Sequence, residues 1–191
     1  MPSAAVRSDD ELMDAYLGGE SRAMEALYLR HKAAVYSWLA GMFPPADADD
    51  LYQEAWLRIV RSASSFKGKG FRTWMWRIVR NLAVSSMRKK RPDLVLDQPV
   101  DEGEGTVVDG IEDPNAVFAH LKLERDEELE RFREAVASLP ARRREMLLLR
   151  MDAEMSYAEI SETLGVPLGT VLATIHRIYK ALEKALAGKE E

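Results

Sequence analysis

Between residues 55 and 91 the chain carries eleven Lys or Arg and no Asp or Glu. Aromatic and large apolar side chains are interleaved with those cations in FKGKGFRTWMWRIVRNLAVSSMRKKR. The mixture suits a single nucleic-acid strand, with phosphates held by Arg and Lys and bases stacked or pocketed on aromatic groups. At a helical period, Phe71, Trp74, Met75, Ile78, Val79 and Leu82 fall on one arc, the expected core face. Trp76, Arg77, Arg80, Val84, Met87 and Arg88 fall opposite. The loop at 64–70 adds Lys67 and Lys69 on a glycine-bearing backbone. The plain alternative is a basic surface helix whose Trp76 packs on a neighbour. A run of 37 residues without an acid favours nucleic acid.

A second pattern lies just before it, in ADADDLYQEAWLRIVRSA at 47–64. Tyr52, Ala55, Trp56, Ile59 and Val60 share one helical face. Asp47, Asp50, Glu54 and Arg58 share another, with Leu51 beside them. Acids in a first turn complement the helix dipole, and Asp47 and Asp50 are suited to capping. From spacing alone this structural reading outweighs the functional one, an acidic stripe that docks a basic partner.

The third pattern is SYAEISETLGVPLGTVLATIHRIYKALEKAL. Ser156 with Glu159 makes a capping box, and Met155 with Ile160 a hydrophobic staple. Gly165 and Pro167 then end one helix and start the next. A short helix, a tight turn and a longer helix make a helix-turn-helix. In the longer helix Val171, Ile175, Ile178, Leu182 and Leu186 are expected to face the core. Thr170, Ala173, Thr174, Arg177, Lys180 and Lys184 are expected outward, with His176 at the edge. Such a small, polar, basic face can enter a major groove. The same pattern also fits a plain helical hairpin or a protein-binding helix-turn-helix.

The elements that carry these patterns are all helical. Predicted helices span 9–18, 21–41, 47–64 and 71–90, then 114–138, 141–152, 157–164 and 168–187. Between them, 92–115 holds eight acids, no basic residue, three prolines and three glycines, which disfavours a packed fold. The prediction is an all-α protein of two small domains, a helical bundle at 1–91 and a helix-turn-helix domain at 116–191, joined by an acidic flexible linker. The net charge of −5 is therefore partitioned: +5 over 1–91, −8 in the linker and −2 over 116–191. The 191 residues include no cysteine, which excludes disulfides, thiolate metal sites and cysteine nucleophiles. Three scattered histidines give no metal cluster, and no nucleotide-binding or hydrolase motif is present. No catalytic residue, metal or cofactor is expected. The longest run free of Asp, Glu, Lys and Arg is 14 residues, too short for a membrane span. The opening MPSAAVRSDDEL turns acidic at once, so a secretory signal is not expected and the chain is expected to be cytoplasmic.

Taken in order, the three segments resemble the extracytoplasmic-function sigma factors, the small two-domain members of the bacterial sigma-70 family. DADDLYQEAWLRIV is similar to the family's segment that docks on the clamp helices of the RNA polymerase β′ subunit. FRTWMWRIVRNLA is similar to its minus-10 reading segment, and LPARRREMLLLRMDAEMSYAEISETLGVPLGTV to its minus-35 domain. The resemblance implies a transcription initiation factor that binds core polymerase, directs it to promoters and helps open the duplex. It implies polymerase contacts from Asp47, Asp50, Gln53 and Glu54, with Leu51 among them. It implies minus-10 contacts from Ser65, Lys67, Lys69, Trp76, Arg77, Arg80, Asn81, Arg88 and Lys89. Minus-35 contacts fall to Thr170, Ala173, Thr174, His176, Arg177 and Lys180. The family further implies contact with the polymerase β flap, a linker threaded through the active-site channel, and an anti-sigma factor as partner. One departure stands out: after Gly-Thr-Val the family usually carries two cations, where this chain has Leu172, Ala173, Thr174 and Ile175. Trp76 stands where a Tyr is common. Two other readings stay open at this stage. One is a helix-turn-helix regulator that works without polymerase, which leaves 47–60 and the basic run without a role. The other is a sigma-like protein that has lost promoter recognition.

Overall fold

The computed structural model describes residues 7–90 and 126–187. The predicted linker at 92–115 and the first part of the predicted 114–138 helix lie outside the described residues. The chain divides between Pro92 and Asp93 into two units.

In the first unit, α1 (Asp9–Leu17) is set by a capping box. The Glu11 N–H donates to Ser8 Oγ at 3.3 Å, and the Ser8 N–H donates to Glu11 Oε2 at 2.6 Å. Gly19, at φ +100°, turns the chain into α2 (Ser21–Met42), and Arg7 pairs with Glu20 across that turn at 2.7 Å. Pro45 opens α3 (Pro45–Arg61) from the first helical position, where its missing N–H loses nothing. The helix thus starts two residues before the expected one and ends at Arg61; Ala63–Ser65 form a 3-10 turn. Then comes α4 (Phe71–Lys90).

The core between these helices holds Met13, Leu27, Val35, Trp38, Leu39, Ile59, Phe71, Met75, Trp76 and Val79. Trp38 of α2 meets Trp76 of α4 edge-to-face, with ring centroids 5.7 Å apart. Helix α4 packs against both α3 and α1 and receives Trp38 from α2, so it is buried on more than one side. All four tryptophans of the chain belong to this unit.

In the second unit α5 (Asp126–Ser138), α6 (Ala141–Met151) and α7 (Tyr157–Leu164) each pack against α8 (Leu168–Ala187). The predicted capping box is present at Ser156 and Glu159, and Gly165 ends α7 in the left-handed conformation at φ +66°. Three arginines brace the loops of this unit. Arg144 donates to the carbonyls of Ala137 and Leu139, and Arg150 to that of Met155 while lying 5.2 Å above the Tyr157 ring. Arg142 pairs with Glu145 at 2.6 Å and donates to the Leu164 carbonyl at 3.2 Å. Glu145 has no solvent exposure, so this pair ties α6 to the end of α7 from within the core.

Candidate functional site

On α3, Asp50 and Gln53 are exposed, and Asp47 and Glu54 are half-exposed. Glu54 pairs with Arg58 one turn on at 2.7 Å, and that hydrogen bond holds its carboxyl below the ordinary value. Leu51 does not join this face. It is 8% exposed and packs into the bundle, because α3 buries the arc carrying Ala48, Leu51, Ala55 and Ile59. The apolar member of the face is Leu57, seven residues after Asp50 and half exposed. Its heptad spacing from Asp50 was the available signal. Val60, which the helical period groups with Tyr52, Ala55, Trp56 and Ile59, is also exposed. Beside the row runs an aromatic seam between α2 and α3. Tyr28 meets Trp56 at 4.9 Å and Tyr36 meets Tyr52 at 5.6 Å; the Tyr52 hydroxyl donates to that of Tyr28, and the Tyr36 hydroxyl to Asp49. Burial, then the Tyr28 hydroxyl, pushes Tyr52 up to about 12.

On α4 the exposed residues Arg77, Asn81, Arg88 and Lys89 line one side of the helix, with Arg80 half-exposed beside them. Lys67 and Lys69 are exposed on the loop before it. Trp76 is not on this face. It is 1% exposed against Trp38, and Val84 and Met87 are buried as well. Trp74, expected in the core, is instead half-exposed at the N-terminal end of the basic row. Its ring lies 5.7 Å from both Phe66 and Phe71, and its indole N–H donates to Ser65 Oγ at 3.2 Å. The Ser65 hydroxyl donates in turn to the Ser62 carbonyl at 2.7 Å. Ser65 therefore spends its proton inside the loop and orients Trp74.

On α8, Val171, Ile175, Ile178 and Leu182 are buried as expected. Thr170, Ala173, His176 and Arg177 are half-exposed and Lys180 is exposed. Thr174 departs from expectation: it is 2% exposed. Three helices pack around α8, and its buried arc is wide enough to take in Thr174 and Tyr179 beside the aliphatic row. Among the described residues, no three His, Cys, Asp or Glu converge as metal ligands. None of the described helices is long and apolar enough to cross a membrane.

A row of acids, a basic helix face with a tryptophan at its start and a helix-turn-helix thus stand in one chain. Residues 27–92 match Sigma-70 region 2, and residues 129–182 match Sigma-70, region 4. The extracytoplasmic-function sigma factor SigW of Bacillus subtilis is 36% identical over 147 residues, 73% of this chain and 75% of that protein. RNA polymerase sigma-H factor of Pseudomonas aeruginosa is 30% identical over 93% of both chains. Among solved structures, CnrH in complex with the cytosolic domain of CnrY aligns over 95% of this chain and 99% of its own, with a TM-score of 0.67 at 21% identity. The sigma factor RpoE of Bartonella quintana, in complex with the anti-sigma factor NepR, aligns over 87% and 98% with a TM-score of 0.62 at 22% identity, so both share the fold. With its two halves matched in order, and with relatives at 30% identity or more over most of its length, the chain belongs to the extracytoplasmic-function branch of the sigma-70 family, transcription initiation factors that bind RNA polymerase and direct it to promoters.

Proposed function

We propose how the work of initiation is divided over these residues. The α3 row of Asp47, Asp50, Gln53, Glu54 and Leu57 docks on the β′ clamp helices of core polymerase, with Leu57 taking the apolar contact that Leu51 does not supply. The 62–70 loop and α4 read and hold the melted minus-10 strand. There Lys67, Lys69, Arg77, Arg80, Arg88 and Lys89 meet phosphates, Asn81 meets a base or sugar edge, and Trp74 takes over the stacking role expected of Trp76. The second unit meets minus-35 DNA through Thr170, Ala173, His176, Arg177 and Lys180, and the β flap through the rest of its surface. The chain acts in the cytoplasm without chemistry of its own, and a protein partner of the kind seen with RpoE, an anti-sigma factor, holds it inactive.

One observation carries the reading: the described part of the acid-free run, 55–90, folds so that exposed cations share one side of α4 with a half-exposed tryptophan at its start. A regulator that only binds duplex needs no such strand platform. Run-off transcription with core polymerase and a promoter library tests it. Promoter-specific transcripts that require the added chain support the reading, and core binding without any promoter-directed transcript overturns it.

A further inference from the structure

Helix α1 lies ahead of residues 27–92, the part matched by sigma-70 region 2. We infer that α1 is a clasp for the minus-10 loop and that Asp10 is its positioning residue; this rests on the reading of the 62–70 loop as the strand-capturing element. The first intrahelical bond of α4 runs from the Trp74 N–H to the Gly70 carbonyl, which makes Gly70 the N-cap. Glycine has no side chain with which to cap, and this one sits at φ +73°. Asp10, sixty residues away in sequence, supplies the missing acceptor: its Oδ1 accepts the Phe71 N–H at 2.7 Å and its Oδ2 the Gly70 N–H at 3.1 Å.

The neighbouring carboxylate points the other way. Asp9 accepts from His31 Nε2 at 2.8 Å and from Arg30, both on α2. The His31 ring closes the circuit by resting 5.7 Å from Phe71. Two adjacent acids thus fasten the first turn of α4 to α2 through α1. Helix α1 is itself held by its capping box and by the Arg7–Glu20 pair. Asp14, one turn after Asp10, flanks the loop at Gly68.

The loop between carries the exposed Lys67 and Lys69 and has two anchors. Ser65 ties its start to Ser62 and Trp74, and Asp10 ties its end. Loss of Asp10 releases the second anchor and leaves two N–H groups at the start of α4 without their acceptor. The α3 docking row is untouched by it.

The test uses the full chain with core polymerase. Promoter opening is read by permanganate reactivity, core affinity by titration, and amide exchange is followed at Gly70 and Phe71. Asp10→Ala is expected to lower opening about ten-fold, the effect of losing charge-assisted hydrogen bonds, with core affinity unchanged and both amides exchanging faster. Asp10→Asn loses less, because its one carbonyl oxygen keeps one of the two bonds. In a Lys67→Ala/Lys69→Ala background the further change Asp10→Ala brings little added loss, since both act on one element. If Lys67→Ala/Lys69→Ala opens promoters as the parent does, the loop reading fails and the inference with it. If that variant is defective while Asp10→Ala opens promoters normally despite faster exchange, the clasp alone is overturned. It is also overturned if Asp10→Ala loses core affinity and opening in the same proportion. Should Asp10→Ala not fold by circular dichroism, the same comparison on Asp10→Asn decides.

Discussion

Substitution of Thr174 and Ala173 by arginine separates two faces of α8 that differ by one residue. The family's usual cations after Gly-Thr-Val are absent here; an arginine has opposite consequences at Thr174, where one of them would stand, and at its neighbour Ala173, where none would. Thr174 is 2% exposed. Thr174→Arg must overpack a filled core, which costs about 1–3 kcal/mol, and must either bury an uncompensated charge, a loss of about 3–5 kcal/mol, or push α8 away from its neighbours. At about 0.05–0.15 kcal/mol per residue, a small helical unit of this kind has a total stability of only several kcal/mol, the same order as that loss. The variant is therefore expected to lose the fold of this unit. Ala173 is half-exposed, so Ala173→Arg keeps the fold and adds one phosphate contact. That contact steepens the slope of log affinity against log salt by about 0.9 on duplex DNA. Thermal melts by circular dichroism, with fluorescence anisotropy on a minus-35 duplex and a scrambled duplex over a range of salt, measure both effects. If Thr174→Arg melts like the parent and binds duplex more tightly, the burial argument for α8 is wrong.

Three further outcomes are expected. Asp50→Lys weakens core binding more than Glu54→Lys does, because Arg58 already neutralises part of the Glu54 charge at 2.7 Å; titration of labelled chain with core polymerase ranks the two. Glu145→Ala leaves Arg142 charged and unpaired inside the second unit and lowers its stability by about 3–5 kcal/mol, read by chemical denaturation against the parent. Burial alone would raise the Asp9 carboxyl, but the hydrogen bonds and charges of His31 and Arg30 outweigh it and hold the group below its ordinary value. A depressed folded value means that the stabilisation is present above the ordinary carboxylate pKa of about 3.9 and fades as the pH falls towards the folded value. The melting-point gap between the parent and Asp9→Asn should accordingly be widest near neutral pH and close in acid.

Helix ends were legible where a local rule governs them. The Ser156–Glu159 capping box and the left-handed Gly165 act within a few residues, and both stand where the sequence puts them. The start of α3 was missed by two residues because Pro45 reads as a breaker until it is seen at the first helical position. Side-chain facing was legible at the centre of a buried arc, as for Val171, Ile175, Ile178 and Leu182 of α8, and failed at its edges. A helical wheel assumes a single core arc, which places Trp76 and Thr174 outside. Helix α4 meets α3, α1 and Trp38, and α8 meets three helices, so each has a wider buried arc than one partner would produce. Trp74 was misplaced for a complementary reason. Its facing is set by Phe66 and Ser65, loop residues whose approach no periodicity encodes. The Asp10 contact to Gly70 and Phe71 spans sixty residues and has no sequence signature at all.

The confinement of every tryptophan to the first unit gives the molecule a built-in optical partition. Trp38, Trp56 and Trp76 are buried, Trp74 is half-exposed, and the second unit holds only Tyr157 and Tyr179 as aromatic chromophores of comparable kind. Emission excited at the red edge of the indole band therefore reports on the first unit alone, while far-ultraviolet ellipticity sums both units. A denaturation curve recorded both ways resolves the two units without cutting the chain or attaching a dye. Three of the four indoles are shielded, so quenching by a soluble ion falls mainly on Trp74. A stretch of single strand that stacks on it should protect that fraction of the emission, so the native protein would signal occupancy of the minus-10 platform proposed above.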